Sequence, residues 1–370
     1  MKLIGIVGEY NPFHKGHLYH LQKIKEMYPD SLIILVLNGY FLERGEISII
    51  SKKNKTNLAL LYGVDIIVEL PFVYGTQSAD IFANAAVSIL ETLKCETIIF
   101  GSECNDINLL TKLASSQIDN PEYDALVKDY LNEGFNYPTA LAKALNVNFN
   151  FNSNDLLGIS YIKSILKNNY HIKAECIKRT NDYLDTTSNE EIISASNIRE
   201  KLNNNIDITK YVPKETTSFI EKLNLDNYFK TLKYKIITDD DLSIYLDVDE
   251  GIENRLKKVI NDVNNMEELI EEIKTKRYTY NKIRRMLIHI LIGFTKVDND
   301  NLQMDYIRIL GFNNRGKKYL HKIKKNTHLP LTVNRDSKIF KYEMKAALIY
   351  DMYSKSDAFL FEHSNKPIQF

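Results

Sequence analysis

Short apolar segments of strand type alternate with segments of helical spacing over the first hundred residues, and this alternation restricts the possible folds most strongly. The strand-type segments are Leu3–Glu9, Ser31–Leu37, Asp65–Glu69 and Glu96–Phe100. Helical spacing begins at Gly16 and recurs over Lys53–Tyr62 and Ala79–Leu93. Strands that alternate with helices predict a parallel sheet covered by helices on both faces. We therefore predict an α/β fold whose ligand site lies at the carboxyl ends of the strands.

The remainder of the chain has mostly helical patterns, and its length indicates two domains. Helical spacing covers Glu122–Leu145 and Ile159–Leu166, a strand is expected near Ile172–Ile177, and Ser194 is placed to cap a further helix. The asparagine-rich segment Asn203–Ile208 is the expected junction. Because 370 residues exceed one ordinary core, we predict one domain over 1–205 and a mainly α-helical one over 206–370.

Composition and cysteine usage are typical of a globular protein from a reducing compartment. Apolar residues make up 44% of the chain and charged residues 26%, and no apolar run reaches the ~20 residues that cross a bilayer. The apolar start, Met1–Val7, is too short for a signal peptide and is followed by Glu9. Cys95, Cys104 and Cys176 have neither disulfide nor metal-ligand spacing. We therefore expect a cytoplasmic protein with no membrane partner.

Charge is distributed unevenly, although the formal net charge is zero. From Lys274 to Lys345 there are eighteen Lys and Arg against five Asp and Glu, an excess of thirteen positive charges. Residues 1–150 hold twelve basic and seventeen acidic side chains, an excess of five negative charges. The basic region indicates a surface for a polyanion, although a charge run by itself is more often a solvated helical face.

The segment Gly8–His17, GEYNPFHKGH, carries the clearest chemical signal. It follows a predicted strand and opens a predicted helix, an arrangement that points free backbone N–H groups at an anion. Gly16 lets the backbone approach a phosphate, and His14 and His17 can present both rings to one ligand. Such imidazoles stabilise the charge that develops during attack at phosphorus. The alternatives are surface histidines or a zinc site that includes His20, but no carboxylate or cysteine stands nearby at ligand spacing.

A second segment, Ile193–Arg199 (ISASNIR), begins another predicted helix. Ser194 and Ser196 supply hydroxyl and backbone N–H groups, and Arg199 offers a planar fork for phosphate. Alone, this segment would be an ordinary N-cap followed by a solvated arginine. Its combination with the first segment makes a phosphate site the favoured interpretation.

These two segments together resemble the HIGH-type nucleotidyltransferase superfamily, whose members have a His-x-Gly-His loop and a later Ile-Ser-x-x-x-Ile-Arg segment. More narrowly, the chain looks like the bacterial tRNA(Met) cytidine acetate ligase family. The segments that carry this likeness span most of the chain: Glu9–His14, Asn38–Glu46, Glu69–Phe72, Gln77–Asp80, Phe100–Glu103, Lys276–Tyr278, Ile283–Arg285 and Leu310–Asn313. The resemblance implies a Rossmann-like parallel sheet followed by a mainly α-helical C-terminal domain.

The resemblance also implies an acetate–tRNA ligase that works in two steps. Acetate attacks the α-phosphorus of ATP and gives acetyl-adenylate and pyrophosphate. The acetyl group then passes to N4 of the wobble cytidine in elongator tRNA(Met), forming N4-acetylcytidine. ATP is thus a substrate, and we expect Mg²⁺ to accompany it, although no residue is predicted as a metal ligand. Residues 1–205 would bind ATP and acetate, and residues 206–370 would bind tRNA.

Individual site residues follow from matching the family's motifs. The ATP-binding residues implied by this match are Val7, Gly8, Glu9, Tyr10, Asn11, Pro12, Phe13, His14, Lys15, Gly16, His17, Leu18, Tyr19, His20, Gly101, Asn154 and Arg179. We assign to His14 and His17 the role of stabilising the negative charge that develops at phosphorus. Arg199, with Ser194 and Ser196, is assigned to the leaving pyrophosphate. The first step needs no general base, because acetate is already ionised at neutral pH.

The basic region is assigned to the RNA backbone. The residues expected to contact tRNA are Lys274, Lys276, Arg277, Lys282, Arg284, Arg285, Arg315, Lys317 and Lys318. Charged residues near predicted strand ends are either site residues or members of structural ion pairs, and the sequence leaves both open. These residues are Glu9, Arg44, Glu46, Glu69 and Asp80.

Two other functions fit parts of the sequence. A nucleotidyltransferase that adenylylates a small phosphorylated metabolite would use the same loop, but it has no need of a long basic second half. A non-catalytic RNA-binding protein with a relic nucleotide pocket has no reason to retain His14, His17, Ser196 and Arg199 together. ATP-dependent transfer of acetate to tRNA would distinguish the ligase from both.

Overall fold

The computed structural model describes residues 1–135, 137–147, 152–179, 188, 190–275 and 278–370. The strands are β1 (Leu3–Gly8), β2 (Leu32–Asn38), β3 (Ile66–Leu70), β4 (Thr97–Ser102), β5 (Lys173–Lys178), β6 (Ile309–Phe312) and β7 (Ile368–Gln369). The helices are α1 (Lys15–Met27), α2 (Lys52–Leu61), α3 (Phe72–Gly75), α4 (Ala79–Thr92), α5 (Ile107–Ser116), α6 (Pro121–Asn132), α7 (Tyr137–Ala144), α8 (Ser153–Lys167), α9 (Ala195–Asn203), α10 (Lys214–Ser218), α11 (Leu225–Thr238), α12 (Ile252–Val259), α13 (Met266–Ile273), α14 (Tyr280–Ile292), α15 (Lys296–Asn301), α16 (Asn314–Ile323), α17 (Lys338–Tyr353) and α18 (Ala358–Ser364), with a 3₁₀ turn at Leu242–Ile244. None of the helices so described is both long and apolar enough to span a bilayer.

Five parallel strands form the larger part of one sheet, whose strand order is β5-β4-β1-β2-β3-β6-β7. Leu3 to Gly8 of β1 pair in register with Leu32 to Leu37 of β2, and β4 pairs with β1 on its other side. The predicted α/β fold and its first strands are confirmed to within one or two residues at each end. Because the strand order reverses at β1, a crevice opens at the carboxyl ends of β1 and β4.

Two strands from the C-terminal part of the chain complete the sheet. β6 runs antiparallel to β3, with Phe312 opposite Ile66, and β7 pairs parallel with β6. Otherwise the described residues after 205 are helical or irregular, so the mainly α-helical character of this region is confirmed. The domain boundary after residue 205 stays a prediction. Hydrogen bonds between β3 and β6 link the part of the chain before this boundary to the part after it.

Helices cover both faces of the sheet because its central strands are apolar on both sides. α4 and α8 lie on one face, where Phe82 and Ile159 are buried. α1 and α2 lie on the other face, where Leu21 and Leu58 are buried. The C-terminal helices share a separate core around α14 and α17, which includes Ile288. This packing leaves the carboxyl edge of the sheet open to a ligand.

A buried ion network joins the sheet to the C-terminal helices. The ammonium of Lys52 on α2 lies 2.5 Å from Glu69 on β3, 2.7 Å from Glu343 on α17 and 2.9 Å from Glu362 on α18. Arg308, just before β6, pairs with Glu69 at 3.1 Å and also with Glu362. Burial and the nearby Glu69 carboxylate raise the pKa of Glu343 to about 7. Glu69, whose role the sequence leaves open, is therefore a structural ion-pair residue.

Candidate functional site

A cavity of about 1370 Å³ lies at the carboxyl edge of the sheet. The loop after β1, the end of β4 and the first turns of α8 and α14 contribute to its lining. The predicted ATP-site residues that line the cavity are Val7, Gly8, Glu9, Tyr10, Asn11, His14, Gly16, His17, Tyr19, His20, Gly101, Asn154, Arg179 and Arg199. The fold thus brings the two predicted phosphate-binding segments together at one site.

The remaining residues of the predicted ATP site are not part of the cavity lining. They are Pro12, Phe13, Lys15, Leu18, Ser194 and Ser196. The fully buried Phe13 stacks on His17, with ring centroids 5.6 Å apart. Ser194 caps α9, and its hydroxyl lies 3.0 Å from that of Ser196. Phe13 thus supports the ring of His17, and Ser194 stabilises the start of the helix that carries Arg199.

The two histidines of the loop are fixed by the backbone and by each other. The backbone N–H of Gly16 donates to Nδ1 of His14 at 2.9 Å, and the backbone N–H of His14 donates to Nδ1 of His17 at 3.2 Å. The two ring centroids are 4.0 Å apart. Because each Nδ1 accepts a hydrogen bond, each neutral ring carries its proton on Nε2. The cavity is therefore lined by two imidazoles with Nε2–H groups available as donors.

Burial keeps the histidines of the site neutral near pH 7. Burial, with the guanidinium groups of Arg179 and Arg199 nearby, lowers the pKa of His14 to about 3. Burial and Arg179 lower the pKa of His20 to about 4. Burial and the flanking imidazoles hold the pKa of His17 well below its ordinary value. The three rings can therefore act as neutral hydrogen-bond donors, and they do not supply protons by ionising in this pH range.

Two glycines of the site lie close beneath the side chains of other site residues. A Cβ atom at Gly16 would lie 2.6 Å from Cε1 of His14, so a side chain there would displace that ring. A Cβ atom at Gly101 would lie 3.2 Å from Cγ of Arg179. The sequence indicates close approach of a phosphate at Gly16, and the structure shows close approach of the His14 ring.

Glu46 connects the second predicted segment to the C-terminal helices. Its Oε2 accepts a hydrogen bond from Nη2 of Arg199 at 2.7 Å, and its Oε1 accepts one from Nη1 of Arg284 at 3.2 Å. Nη1 of Arg199 also donates to the carbonyl oxygen of Asn11 at 2.8 Å, in the loop after β1. One carboxylate thus holds an arginine of the cavity and an arginine predicted to bind tRNA.

Glu103, in the loop after β4, organises another part of the cavity. Its Oε1 accepts a hydrogen bond from Nδ2 of Asn154 at 2.5 Å and lies 3.6 Å from Nε of Arg179. Its Oε2 accepts one from the backbone N–H of Asp155 at 3.1 Å. Asn154 lines the cavity, whereas the fully buried Asp155 accepts a hydrogen bond from the hydroxyl of Ser102 at 2.5 Å. The sequence marks the segment Phe100–Glu103 through its resemblance to the family, but it assigns no role to the Glu103 side chain.

Glu43 and Arg285 form a further contact between the loop after β2 and α14. Nη1 of Arg285 lies 3.5 Å from Oε1 of Glu43, and both side chains line the cavity. The backbone N–H of Glu43 donates to Oε1 of Glu9 at 2.8 Å. Burial, opposed by Arg285 and reinforced by Glu9, raises the pKa of Glu43 to about 7. The loop comes this close to α14 because Gly45 has a φ of +72° and no Cβ; a Cβ would lie 2.5 Å from the carbonyl carbon of Arg284.

The residues predicted to bind tRNA lie in separate places. Three belong to the first turns of α14 beside the cavity: Lys282, Arg284 and Arg285. Three belong to α16: Arg315, Lys317 and Lys318. Arg315 donates to the carbonyl oxygen of Ser31 at 2.9 Å, just before β2, so α16 lies at the amino edge of the sheet. Lys274 is the C-cap of α13, and Lys276 and Arg277 lie outside the described residues.

Helices α6 and α7 line a side of the cavity that the sequence did not indicate. The lining residues from these helices and the turn between them are Lys128, Leu131, Asn132, Gly134, Phe135, Tyr137 and Leu141. The sequence predicts this segment only as helical. In the structure this segment is marked by the exposed apolar residues Leu131, Phe135 and Tyr137, because exposed apolar groups that cluster often indicate a binding surface.

Three carboxylates of the cavity form ion pairs with cationic side chains of the protein. Glu43 and Glu46 pair with arginines, and Asp80 pairs with Lys163 at 2.9 Å. Glu9, Arg44 and Asp80, whose roles the sequence leaves open, all line the cavity. Within the described residues, the only group of three possible metal ligands is Glu69, Glu343 and Glu362, where the Lys52 ammonium already lies within 2.9 Å of each carboxylate.

Comparison with other sequences gives matches along almost the whole chain. The HIGH Nucleotidyl Transferase family matches residues 1–364. A protein of Caldicellulosiruptor saccharolyticus named tRNA(Met) cytidine acetate ligase is 40% identical over 342 residues, which cover 88% of this chain and 85% of that protein. A protein of the same name from Geobacillus sp. strain WCH70 is 38% identical over 377 residues, which cover 95% and 94% of the two chains.

Solved structures give the same result. The crystal structure of Thermotoga maritima TmcAL without ligand superposes with a TM-score of 0.90 at 29% identity and covers 100% of both chains. The crystal structure of the same protein bound with alpha-thio ATP superposes with a TM-score of 0.87 at 28% identity, again over 100% of both chains.

Proposed function

Since this chain belongs to the tRNA(Met) cytidine acetate ligase family of the HIGH nucleotidyl transferases, we propose that it joins acetate to elongator tRNA(Met) at the cost of ATP. Acetate is first activated as acetyl-adenylate with release of pyrophosphate. The acetyl group is then transferred to N4 of the wobble cytidine, which gives N4-acetylcytidine and AMP. The tRNA substrate is expected in the cytoplasm, where we place the enzyme.

The observation that carries this proposal is the pair of neutral imidazoles whose Nδ1 atoms are both held by backbone N–H groups. Their Nε2–H groups are preorganised donors for charge that develops at phosphorus during attack by acetate. Arg179 and Arg199 add positive charge to the same cavity. Because acetate is ionised at neutral pH, alignment and charge stabilisation suffice for this step. We assign Arg199, backed by Ser194 and Ser196, to the leaving pyrophosphate.

The second step needs an activated donor, because the exocyclic amine of cytidine is a weak nucleophile. The mixed anhydride of acetyl-adenylate provides one, and AMP is the leaving group. We propose that the acceptor RNA approaches from α14, where Lys282 and Arg285 line the cavity and Arg284 lies beside them. The basic residues of α16, which are Arg315, Lys317 and Lys318, would contact the RNA backbone at a second place, away from the cavity. In this proposal residues 1–205 bind ATP and acetate, and residues 206–370 bind tRNA.

Magnesium is expected to arrive with the nucleotide. Mg²⁺ keeps several waters and is usually bound through substrate phosphates with few protein carboxylates. This fits a cavity in which Glu43 and Glu46 are paired with arginines. Bound in this way, the ion would offset the negative charge of pyrophosphate.

The proposed function can be tested by incubating the protein with labelled acetate and bulk tRNA, with and without ATP. We expect ATP-dependent label in RNA that maps to one cytidine of elongator tRNA(Met). A transcript in which this cytidine is replaced by uridine is the matched control and should remain unlabelled. Transfer of adenylate to a phosphorylated metabolite, without label in RNA, would instead establish the generic nucleotidyltransferase.

A further inference from the structure

Two aromatic rings lie exposed where α6 and α7 border the cavity. Phe135 is 37% exposed and Tyr137 50% exposed, and Leu131 beside them is 41% exposed. All three line the cavity. The rings of the loop after β1 are in contrast almost fully enclosed, with Tyr10 3% and His14 6% exposed. Phe135 and Tyr137 therefore stand at the mouth of the cavity, and the loop after β1 lies at its base.

Lysines accompany these rings. The ammonium of Lys143 lies 4.4 Å from the ring centroid of Phe135, and the Tyr130 ring meets that of Phe135 at 76° with centroids 6.1 Å apart. Lys128 lines the cavity from α6. Aromatic side chains combined with a positively charged groove are the features by which proteins bind unpaired bases of single-stranded nucleic acid.

We propose that Phe135 and Tyr137 form a stacking surface for an unpaired base of the acceptor RNA, adjacent to the cytidine that enters the cavity. This inference rests on the proposed acetate–tRNA ligase function and specifies how that acceptor is held. A base must leave its stack before an enzyme can react at one of its exocyclic atoms, and this costs a few kcal/mol. Rings at the cavity mouth would replace the stacking that the neighbouring base loses.

An RNA base fits this position better than the adenine of ATP. The most enclosed of the predicted ATP residues, Tyr10, Asn11 and His14, are at most 6% exposed and lie at the base of the cavity, whereas the two rings border solvent. The cavity of about 1370 Å³ is also larger than the roughly 300–1,000 Å³ of a site for one small ligand. It therefore has room for a nucleotide and part of a second substrate.

The test uses the full-length protein with Phe135→Ala, Tyr137→Ala and the double substitution. The conservative variants Phe135→Tyr and Tyr137→Phe keep a ring at each position. Tyr234→Ala is the matched control, because Tyr234 is 68% exposed, lies on α11 and does not line the cavity. Three quantities are measured: the KM for ATP in acetate-dependent pyrophosphate exchange, the KM for an anticodon stem-loop RNA in acetyl transfer, and the Kd of that RNA.

We expect Phe135→Ala and Tyr137→Ala each to raise the KM and the Kd for the stem-loop by roughly tenfold to a hundredfold. The KM for ATP should stay unchanged, and the ring-preserving variants and Tyr234→Ala should behave as the wild type. An equal rise in the KM for ATP would show that the rings stack on adenine, and unchanged RNA parameters would show that they bind no base. Either result overturns the inference.

Failure of the proposed function would be recognised separately, because the wild type would then transfer no acetyl group to any RNA. In that case the Kd of the stem-loop still decides the inference. A loss of affinity confined to the alanine substitutions at Phe135 and Tyr137, single and double, would support the stacking surface, and equal affinity in all variants would reject it.

Discussion

Arg199 and Arg284 share one carboxylate, that of Glu46, which accepts a hydrogen bond from the first at 2.7 Å and from the second at 3.2 Å. Arg199 belongs to the segment assigned to pyrophosphate, and Arg284 lies on a helix that borders the proposed path of the RNA. The positions of the two arginines are therefore linked. This arrangement predicts that the two half-reactions respond together to changes at Glu46.

We expect Glu46→Gln to lower acetate-dependent pyrophosphate exchange and to weaken tRNA binding. Hydrogen bonds to charged groups contribute about 1.5–3 kcal/mol, so each effect should be roughly tenfold to a hundredfold. Pyrophosphate exchange and tRNA filter binding measure the two effects. Glu26→Gln is the matched control, because its pair with Lys23 is exposed, with 61% of the Glu26 side chain accessible, and should change either quantity little. Loss of exchange alone would show that Arg284 keeps its position without Glu46.

His17→Ala should abolish most adenylate formation and leave tRNA binding nearly unchanged. Removal of one preorganised donor to a developing anion costs about 10²–10³-fold in rate. Pyrophosphate exchange is the measurement for the first step, and the Kd of tRNA is the measurement for binding. His171→Ala serves as a control, because its side chain is 95% exposed. An equal loss of exchange and of tRNA binding would indicate that the loop folds incorrectly or belongs to the RNA site.

The raised pKa of Glu43 predicts that the stability of the folded protein depends on pH. This pKa is raised from 4.5 in the unfolded chain to about 7 in the folded protein, so folding favours the protonated form. The stability that this preference contributes is present at low pH and is lost as the pH rises through about 7. Glu43→Gln cannot ionise, and its Tm relative to that of the wild type should therefore increase from pH 5 to pH 8. A constant difference in Tm over this range would show that Glu43 has an ordinary pKa.

Lys52→Met should destabilise the protein far more than the same substitution at the next residue. The substitution leaves Glu69, Glu343 and Glu362 buried, with Arg308 as their remaining cationic partner. Removing one partner from such a buried network lowers the free energy of unfolding by about 3–5 kcal/mol. Lys53 forms an exposed pair with Asp357, so Lys53→Met should cost less than about 1 kcal/mol. Urea unfolding gives both free energies. Equal values for the two variants would contradict the structural role assigned to the network.

The first strands and helices could be predicted because their signals are local. Apolar runs of strand length, helical spacing and capping residues such as Ser194 are visible within ten or fifteen residues of sequence. The same holds for the loop that contains His14 and His17, because a strand followed by a glycine-containing turn and a helix places it at the carboxyl edge of a parallel sheet. The two segments of the ATP site could then be paired only through their resemblance to a known family.

Other features depend on contacts between distant residues. Glu46 and Arg284 are 238 residues apart, and neither residue type nor spacing indicates that they meet. β6 and β7 are short and were not predicted, because pairing with β3, rather than their own pattern, makes them strands. The basic residues of α14 and α16 look alike in sequence, yet packing places them at opposite edges of the sheet.

The sequence by itself therefore determined the α/β fold, the position of the histidine loop and the family, since these follow from short-range periodicity and from motifs. The tertiary structure decided which charged residues line the cavity and which form structural ion pairs away from it. It assigned Glu69 to a buried network and Glu46 to the site, and it brought α14 against the loop after β2. The physical reason is that the pairing and burial of a charge depend on the whole packed environment, which no local pattern encodes.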